Sequence, residues 1–209
     1  ASAFFTSPQT MLIVKENQYQ AQLLYQELYP LLHNSVLFFP SDESLRIEAL
    51  AYSKELMGER VNTLASLCED EPYVVICHTH SFSRYIPNQS LFMENIISLK
   101  EGMTIDPLEL REKLIYSGYQ MIQRVDEPFY YAKRGGVIDV YSIQYDNPIR
   151  IEFFDDEIEN IRFFDKNSQK TLNTVKEVSI LPATDMLYSD NEIVEVIKKI
   201  EKKKEKTDC

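Results

Sequence analysis

Cys77, His78 and His80 are the densest group of metal-ligating side chains in this 209-residue sequence. Zinc chemistry needs a fourth ligand at short spacing and none is evident, while neighbours on a strand point to opposite faces, so the group reads as structural filler. Asp42 and Glu43, in FFPSDES after an apolar run, are an acidic pair of the kind that holds a metal in ATPases. Only five glycines occur and none is followed by Lys, so no phosphate-cradling loop accompanies that pair, and helix capping is its favoured reading. Asp155, Asp156 and Glu157 lie between two β-forming runs, where a tight turn needs short polar residues, and the turn is preferred to a cation site. Asp139, inside VIDVY, reads as a lone carboxylate with no complementary acid or base, and a catalytic pair is not supported. His33 falls at a helix end, where it complements the dipole, and no Ser or Cys partner is suggested for it.

The stretch PIRIEFF offers recognition rather than catalysis. Strict alternation places Ile149, Ile151 and Phe153 on a core-facing side and leaves Arg150, Glu152 and Phe154 on the other. An aromatic beside an arginine on an exposed face is the composition of a protein-docking surface. Arg134, ahead of the Gly135-Gly136 turn, would stand on a neighbouring strand. The plainer alternative is that Phe154 packs under its own loop and Arg150 pairs with carboxylates beside Glu152.

These residues are carried by two kinds of sequence grammar. MLIV (11–14), VLFF (36–39) and YVVIC (73–77) read as buried strands separated by helix-like stretches. The first helix starts at Asn17, with Ala21, Leu24, Leu28 and Leu31 in register; the second, KELMGERVNTLASLC, aligns Leu56, Val61, Leu64 and Leu67. Thr79 is the expected N-cap of the segment after YVVIC, and the strand–helix alternation implies a parallel α/β layer. Near residue 97 the pattern changes. DPLELREKLIYSG is punctuated as one helix by Asp106, Pro107, Glu109 and Gly118. From Tyr119, YQMIQRV, FYYAK, VIDVYSI, PIRIEFF, EIENIRFF and NTVKEVSIL, joined by short polar spacers, read as an antiparallel meander. After Pro182 a last helical pattern (Ile193, Val196, Ile197, Ile200) runs into a mixed Lys/Glu tail, read as a solvated face in a piece of a longer protein.

Composition sets the outer bounds. At about 150 residues per domain the length implies one large domain or two small ones. The chain is 44 % hydrophobic and 26 % charged, enough to fold, and its net charge of −11 opposes DNA, RNA and anionic membranes. No run is long and apolar enough to span a bilayer, and no export signal is evident at the start. An odd set of thiols, Cys68, Cys77 and Cys209, fits a reducing cytoplasm.

The run FYYAKRGGVIDVYSIQYDNPIRIEFFDDEIENIRFFDKNSQKTL resembles the bacterial transcription-repair coupling factors (the Mfd family) and, more loosely, the excision-repair protein UvrB. IRFFDKNSQKTL is nearer the former. FFPSDESLRIEALAYSKELMGERVNTLASL resembles the N-terminal region of the same family, so the likeness spans nearly the whole chain. It implies a fold of α/β plus β-rich insertion. A partial, degenerate RecA/helicase-like α/β domain would occupy residues 1–97. A mainly antiparallel β domain similar to UvrB domain 2, which binds the repair ATPase UvrA, would occupy 98–181, and a helical return to the first domain 182–209. The family's UvrA-docking residues fall on Arg134, Arg150 and Phe154, with Glu152 and Phe153 as neighbours by analogy with UvrB.

In functional terms the resemblance implies a non-catalytic module that recruits UvrA to stalled RNA polymerase in transcription-coupled nucleotide excision repair. ATP-dependent DNA translocation, with its ATP and Mg, and the contacts to RNA polymerase and double-stranded DNA, belong to other parts of such a parent. No cofactor or metal is expected here, the location is cytoplasmic, and the docking face would be masked in the intact parent. The alternative is a fragment of UvrB or a related helicase-like ATPase that binds nucleotide, or single-stranded DNA stacked on Tyr130, Tyr131, Phe153 and Phe154.

Overall fold

In the computed structural model, which describes residues 2–41, 54–189, 191–194 and 197–198, the three apolar runs of the first third become one parallel sheet. A short helix, α1 (Ser2–Thr6), precedes β1 (Met11–Lys15), α2 (Gln18–Leu32), β2 (Val36–Phe39), α3 (Lys54–Ser66) and β3 (Val74–His78), with strand order β1-β3-β2. The central strand β3 is buried on both faces, which is why its sequence shows no alternation. Val74 and Ile76 pack with Ala21, Leu32 and Val36 on the α2 side. Val75 and Cys77 join the larger core that holds Met57, Val61 and Leu64 of α3. MLIV differs from its expectation as a buried strand: β1 is an edge covered on one side, and Leu12 and Val14 remain 54 % and 41 % exposed. In α2 the buried residue of the last turn is Leu32, and Leu31 is exposed.

Local capping explains most boundaries. The Asn17 side chain accepts from the Gln20 N–H at 3.0 Å and starts α2. At the end of β3 the cap is His78 rather than Thr79; the His78 Nδ1 and Ser81 Oγ lie 2.6 Å apart, opening α4 (Thr79–Phe82). The Thr79 hydroxyl instead donates to the Glu16 carbonyl at 3.0 Å, tying the two strand ends together.

After α5 (Gln89–Glu94) come β4 (Ile97–Lys100), α6 (Pro107–Tyr116), β5 (Gln120–Met121), β6 (Tyr130–Arg134), β7 (Val137–Val140), β8 (Ile149–Phe154), β9 (Glu157–Phe164), β10 (Thr171–Val175) and β11 (Glu177–Ile180). Asp106 caps α6 by accepting from the Leu108 N–H at 2.7 Å, and Gly118 ends it with φ +92°. Glu109 pairs with Lys113 at 2.9 Å instead of closing a capping box.

The six-stranded sheet has the order β10-β9-β8-β7-β6-β5 and departs from the expected meander at both ends. Residues 122–129 travel back across the sheet edge rather than turning tightly, so β5 lies parallel to β6. NTVKEVSIL is two strands: the Lys176 carbonyl accepts from the Glu101 N–H at 2.8 Å, and β11 leaves to pair antiparallel with β4. VIDVYSI is strand only as far as Val140.

The α/β layer and the β-rich part share one core. Gly58 of α3 faces Ile143 so closely that a Cβ there would sit 2.9 Å from Ile143 Cγ1. Past β11 the chain comes back to α3, where fully buried Asp185 accepts from Arg60 Nε at 2.7 Å and from Arg84 Nη2 at 3.2 Å. Of the expected helical return at 182–209, residues 182–189 are irregular, 191–194 and 197–198 are helical, and the rest lies outside the described residues, as do Asp42, Glu43 and Cys209.

Candidate partner-docking site

The outer face of the β6–β9 sheet is set by a fault in alternation. In EIENIRFF the inward residues Ile158 and Ile161 are three apart, an odd spacing that a regular strand cannot put on one face. The register jumps between Glu152↔Asn160 and Phe153↔Ile158, so Glu159 is an extra bulged residue in β9. The bulge absorbs the mismatch on β9 and leaves β8 regular. Ile149, Ile151 and Phe153 accordingly turn to the core side, Phe153 half-buried, and Arg150, Glu152 and Phe154 turn outward.

Arg150 and Asp139 are opposite one another across the β7–β8 ladder. Arg150 Nε donates to Asp139 Oδ1 at 2.7 Å and Nη2 to Oδ2 at 2.8 Å, a bidentate pair. Asp139 is 2 % exposed and the Arg150 side chain 17 %. The Asp139 carboxylate raises the Arg150 pKa above its ordinary value, holding the guanidinium charged. Asp139, expected to stand alone, is therefore the anchor of the face, and Arg150 is not free in the way the alternation implied. The pair's partner is Asp139, across the ladder, and not a carboxylate beside Glu152. Arg150 Cζ also sits 4.4 Å above the ring of Phe164, which is completely buried.

Arg134 reaches the same carboxylate from the end of β6, its Nη2 3.5 Å from Asp139 Oδ2 with the side chain 59 % exposed. Arg162 stands directly opposite Arg150, and its charge is taken up by Glu152 at 2.5 Å. Within this ion-pair cluster three arginines meet two carboxylates, a local excess of +1 on a chain of −11, and Glu157, opposite Phe154, adds a negative charge at the end of the face. The sequence does not single out Arg162 or Phe164, and it does not place Asp139 on this face. The available signal was phase: Arg162 and Phe164 alternate in step with Arg150 and Glu152 once the strands are paired.

Phe154 is 70 % exposed, at the start of the hairpin whose loop is Asp155-Asp156. Asp155 has φ +54°, so Asp155 and Asp156 serve the turn, while Glu157 is the first residue of β9 and lies opposite Phe154. The ring borders a groove of about 490 Å³ lined also by Lys100, Gly102, Glu157, Glu159 and Lys176. The stacking alternative loses two of its aromatics here: Tyr131 is 1 % exposed and Phe153 faces the core. Tyr130 is covered by the Lys54 ammonium, 4.4 Å from its ring centroid. Among the described residues no group of three His, Cys, Asp or Glu gathers to hold a metal; Cys77 and His78 are both buried in β3.

A family model described as the UvrB interaction domain matches residues 97–186. The match runs from the first residue of β4 to one residue beyond Asp185, so it takes in the whole six-stranded sheet and the β4–β11 ribbon. Over a wider span the chain is similar to the transcription-repair-coupling factor of Bacillus subtilis, 30 % identical across 90 % of this chain. It is also similar to those of Staphylococcus haemolyticus, 31 % across 92 %, and Staphylococcus epidermidis, 29 % across 99 %. The chain spans 16 to 18 % of the length of these relatives. The arginine-bearing face thus lies within the matched residues, and the flanking α/β layer is part of the wider likeness.

Proposed function

We propose that the outer face of β6–β8 is a docking surface for UvrA, and that this chain is a non-catalytic, UvrB-like module that brings UvrA to stalled RNA polymerase in transcription-coupled nucleotide excision repair. The observation that carries the reading is the exposed Phe154 ring on the same sheet face as two arginines, inside a UvrB interaction domain. Arg134 and the edge of Arg150 not held by Asp139 meet carboxylates on UvrA, which steers encounter and fixes register. Phe154 fills an apolar pocket and slows dissociation.

The parallel β1-β3-β2 layer is the remnant of a degenerate RecA-like ATPase domain, and the segment around Asp185 returns to it. ATP hydrolysis and grip on RNA polymerase and double-stranded DNA reside elsewhere in a cytoplasmic parent, where the face is masked until polymerase stalls.

Titrating UvrA into the chain and into Phe154→Ala and Arg134→Ala tests the reading. Loss of about 2 kcal/mol or more, roughly 30-fold in affinity, is expected for Phe154→Ala. Unchanged affinity in both folded variants overturns it.

A further inference from the structure

The β4–β11 ribbon has a free edge. Its register runs from Ile97↔Ile180 to Lys100↔Glu177, and the bond from Glu101 N–H to the Lys176 carbonyl, 2.8 Å, extends it by one pair. Bonded and non-bonded pairs alternate along an antiparallel ladder, so Ile97 and Leu99 spend their backbone groups on β11 while Ser98 and Lys100 turn theirs away from it. The Lys100 carbonyl accepts from Met103 N–H at 3.0 Å. Ser98 N–H, Ser98 C=O and Lys100 N–H meet no partner among the described residues.

Along this edge lies a groove of about 750 Å³ between β4 and α6, within the range of roughly 300–1,000 Å³ typical of ligand clefts. Glu109, Glu112, Lys113 and Tyr116 of α6 line it, at the spacing of one helical face. Ile96, Met103 and Tyr116 supply apolar surface, and Ser117 Oγ, donating to the Asn95 carbonyl at 3.4 Å, ties the end of α6 to the segment before β4. Glu109 is neutralised by Lys113, whereas exposed Glu94 and Glu112 have no cationic partner among the described residues, so the rim carries −2.

We propose that this groove takes an extended segment of a partner protein bearing alternate lysines or arginines, which adds as a strand to β4 beside α6. An unpaired strand edge facing a helix offers main-chain bonds for affinity, and the acidic rim selects the charge. A second copy of this chain is disfavoured as occupant, because pairing β4 with β4 brings the same glutamates together. The site is separate from the arginine-bearing face, and the proposal stands independently of it.

The probe is a hexapeptide alternating Lys and Val, with its Glu/Val counterpart as control, titrated into the isotope-labelled chain. The basic peptide is expected to bind at least about tenfold more tightly than the acidic one, and to slow amide exchange at Ser98 and Lys100. Ser98→Pro, tolerated at a strand edge whose N–H faces outward, is expected to weaken binding about tenfold. Should that variant misfold, Glu94→Gln with Glu112→Gln gives the same reading through charge. Binding undiminished by either change, exchange at Ser98 and Lys100 left as fast as before, or a dimer abolished by Ser98→Pro would each overturn the proposal.

Discussion

Asp139 and Arg150 face each other across neighbouring strands, joined by two hydrogen bonds of 2.7 and 2.8 Å, with the carboxylate buried and Arg150 Nη2 donating also to Gln169 Oε1 at 3.4 Å. A charge so held is built into the sheet before any partner arrives. Removing either partner strands the other in a low-dielectric site, so Arg150→Ala and Asp139→Ala should each lower stability by about 3 kcal/mol. The double replacement should cost clearly less than the sum. Urea melts of the four-protein cycle check this; additive losses would mean that the pair is not coupled.

Arg134 and Phe154 should behave oppositely. Their side chains are 59 % and 70 % exposed, so truncating either to Ala should leave the melting free energy within about 0.5 kcal/mol of the parent chain. The consequence for the docking reading is practical: a loss of UvrA affinity in Phe154→Ala or Arg134→Ala reports on the surface, whereas a loss in Arg150→Ala mixes surface with fold. Circular dichroism melts of the three variants, run beside the UvrA titrations, separate the two effects.

The outward placement of Phe154 was legible in PIRIEFF because a regular strand obeys a period of two, and β8 is regular. The partner of Arg150 was not legible, because cross-strand neighbours depend on which strands pair and in what register. Asp139 is eleven residues away in sequence and adjacent only after β7 meets β8. The same holds for β11: NTVKEVSIL has one continuous β-forming composition, and only the pairing of β10 with β9 and of β11 with β4 reveals that it serves two sheets. Strands of the parallel layer were readable from their apolar runs, but the exposure of β1 follows from its edge position, which composition does not encode.

Arg60 was hidden for a related reason, since a charged residue in an α3 pattern is read as solvent-facing, yet it is fully buried against Asp185. That contact fastens the chain after β11 to the α/β layer. Asp185→Ala should therefore cost about 3–5 kcal/mol and increase proteolysis near residue 185 before other sites are cut. Asp185→Asn, which keeps the shape and one acceptor, should cost less. Limited digestion with mass mapping, alongside chemical melts, provides the measurement, and equal cutting in variant and parent would show that the return segment is held by other contacts.

Alkaline pH should loosen the protein through its tyrosines. The Tyr73 hydroxyl donates to Glu69 Oε2 at 2.8 Å, and burial together with that carboxylate pushes its pKa up to about 12 from an ordinary 10.0. Burial raises Tyr119 in the same direction, its hydroxyl donating to the Leu181 carbonyl at 2.7 Å. Groups whose folded pKa lies above the unfolded value hold protons that the unfolded chain has already released. The Tyr73 contribution is intact below pH 10 and is lost as pH rises toward 12, and that of Tyr119 persists to higher pH. Stability measured by urea melts should fall steeply over that window, and Tyr73→Phe, which has no proton to lose, should flatten the slope. Because Tyr73 packs in the core that also holds α3 and β3, the same melts should show the α/β layer and the sheet unfolding together rather than in two steps.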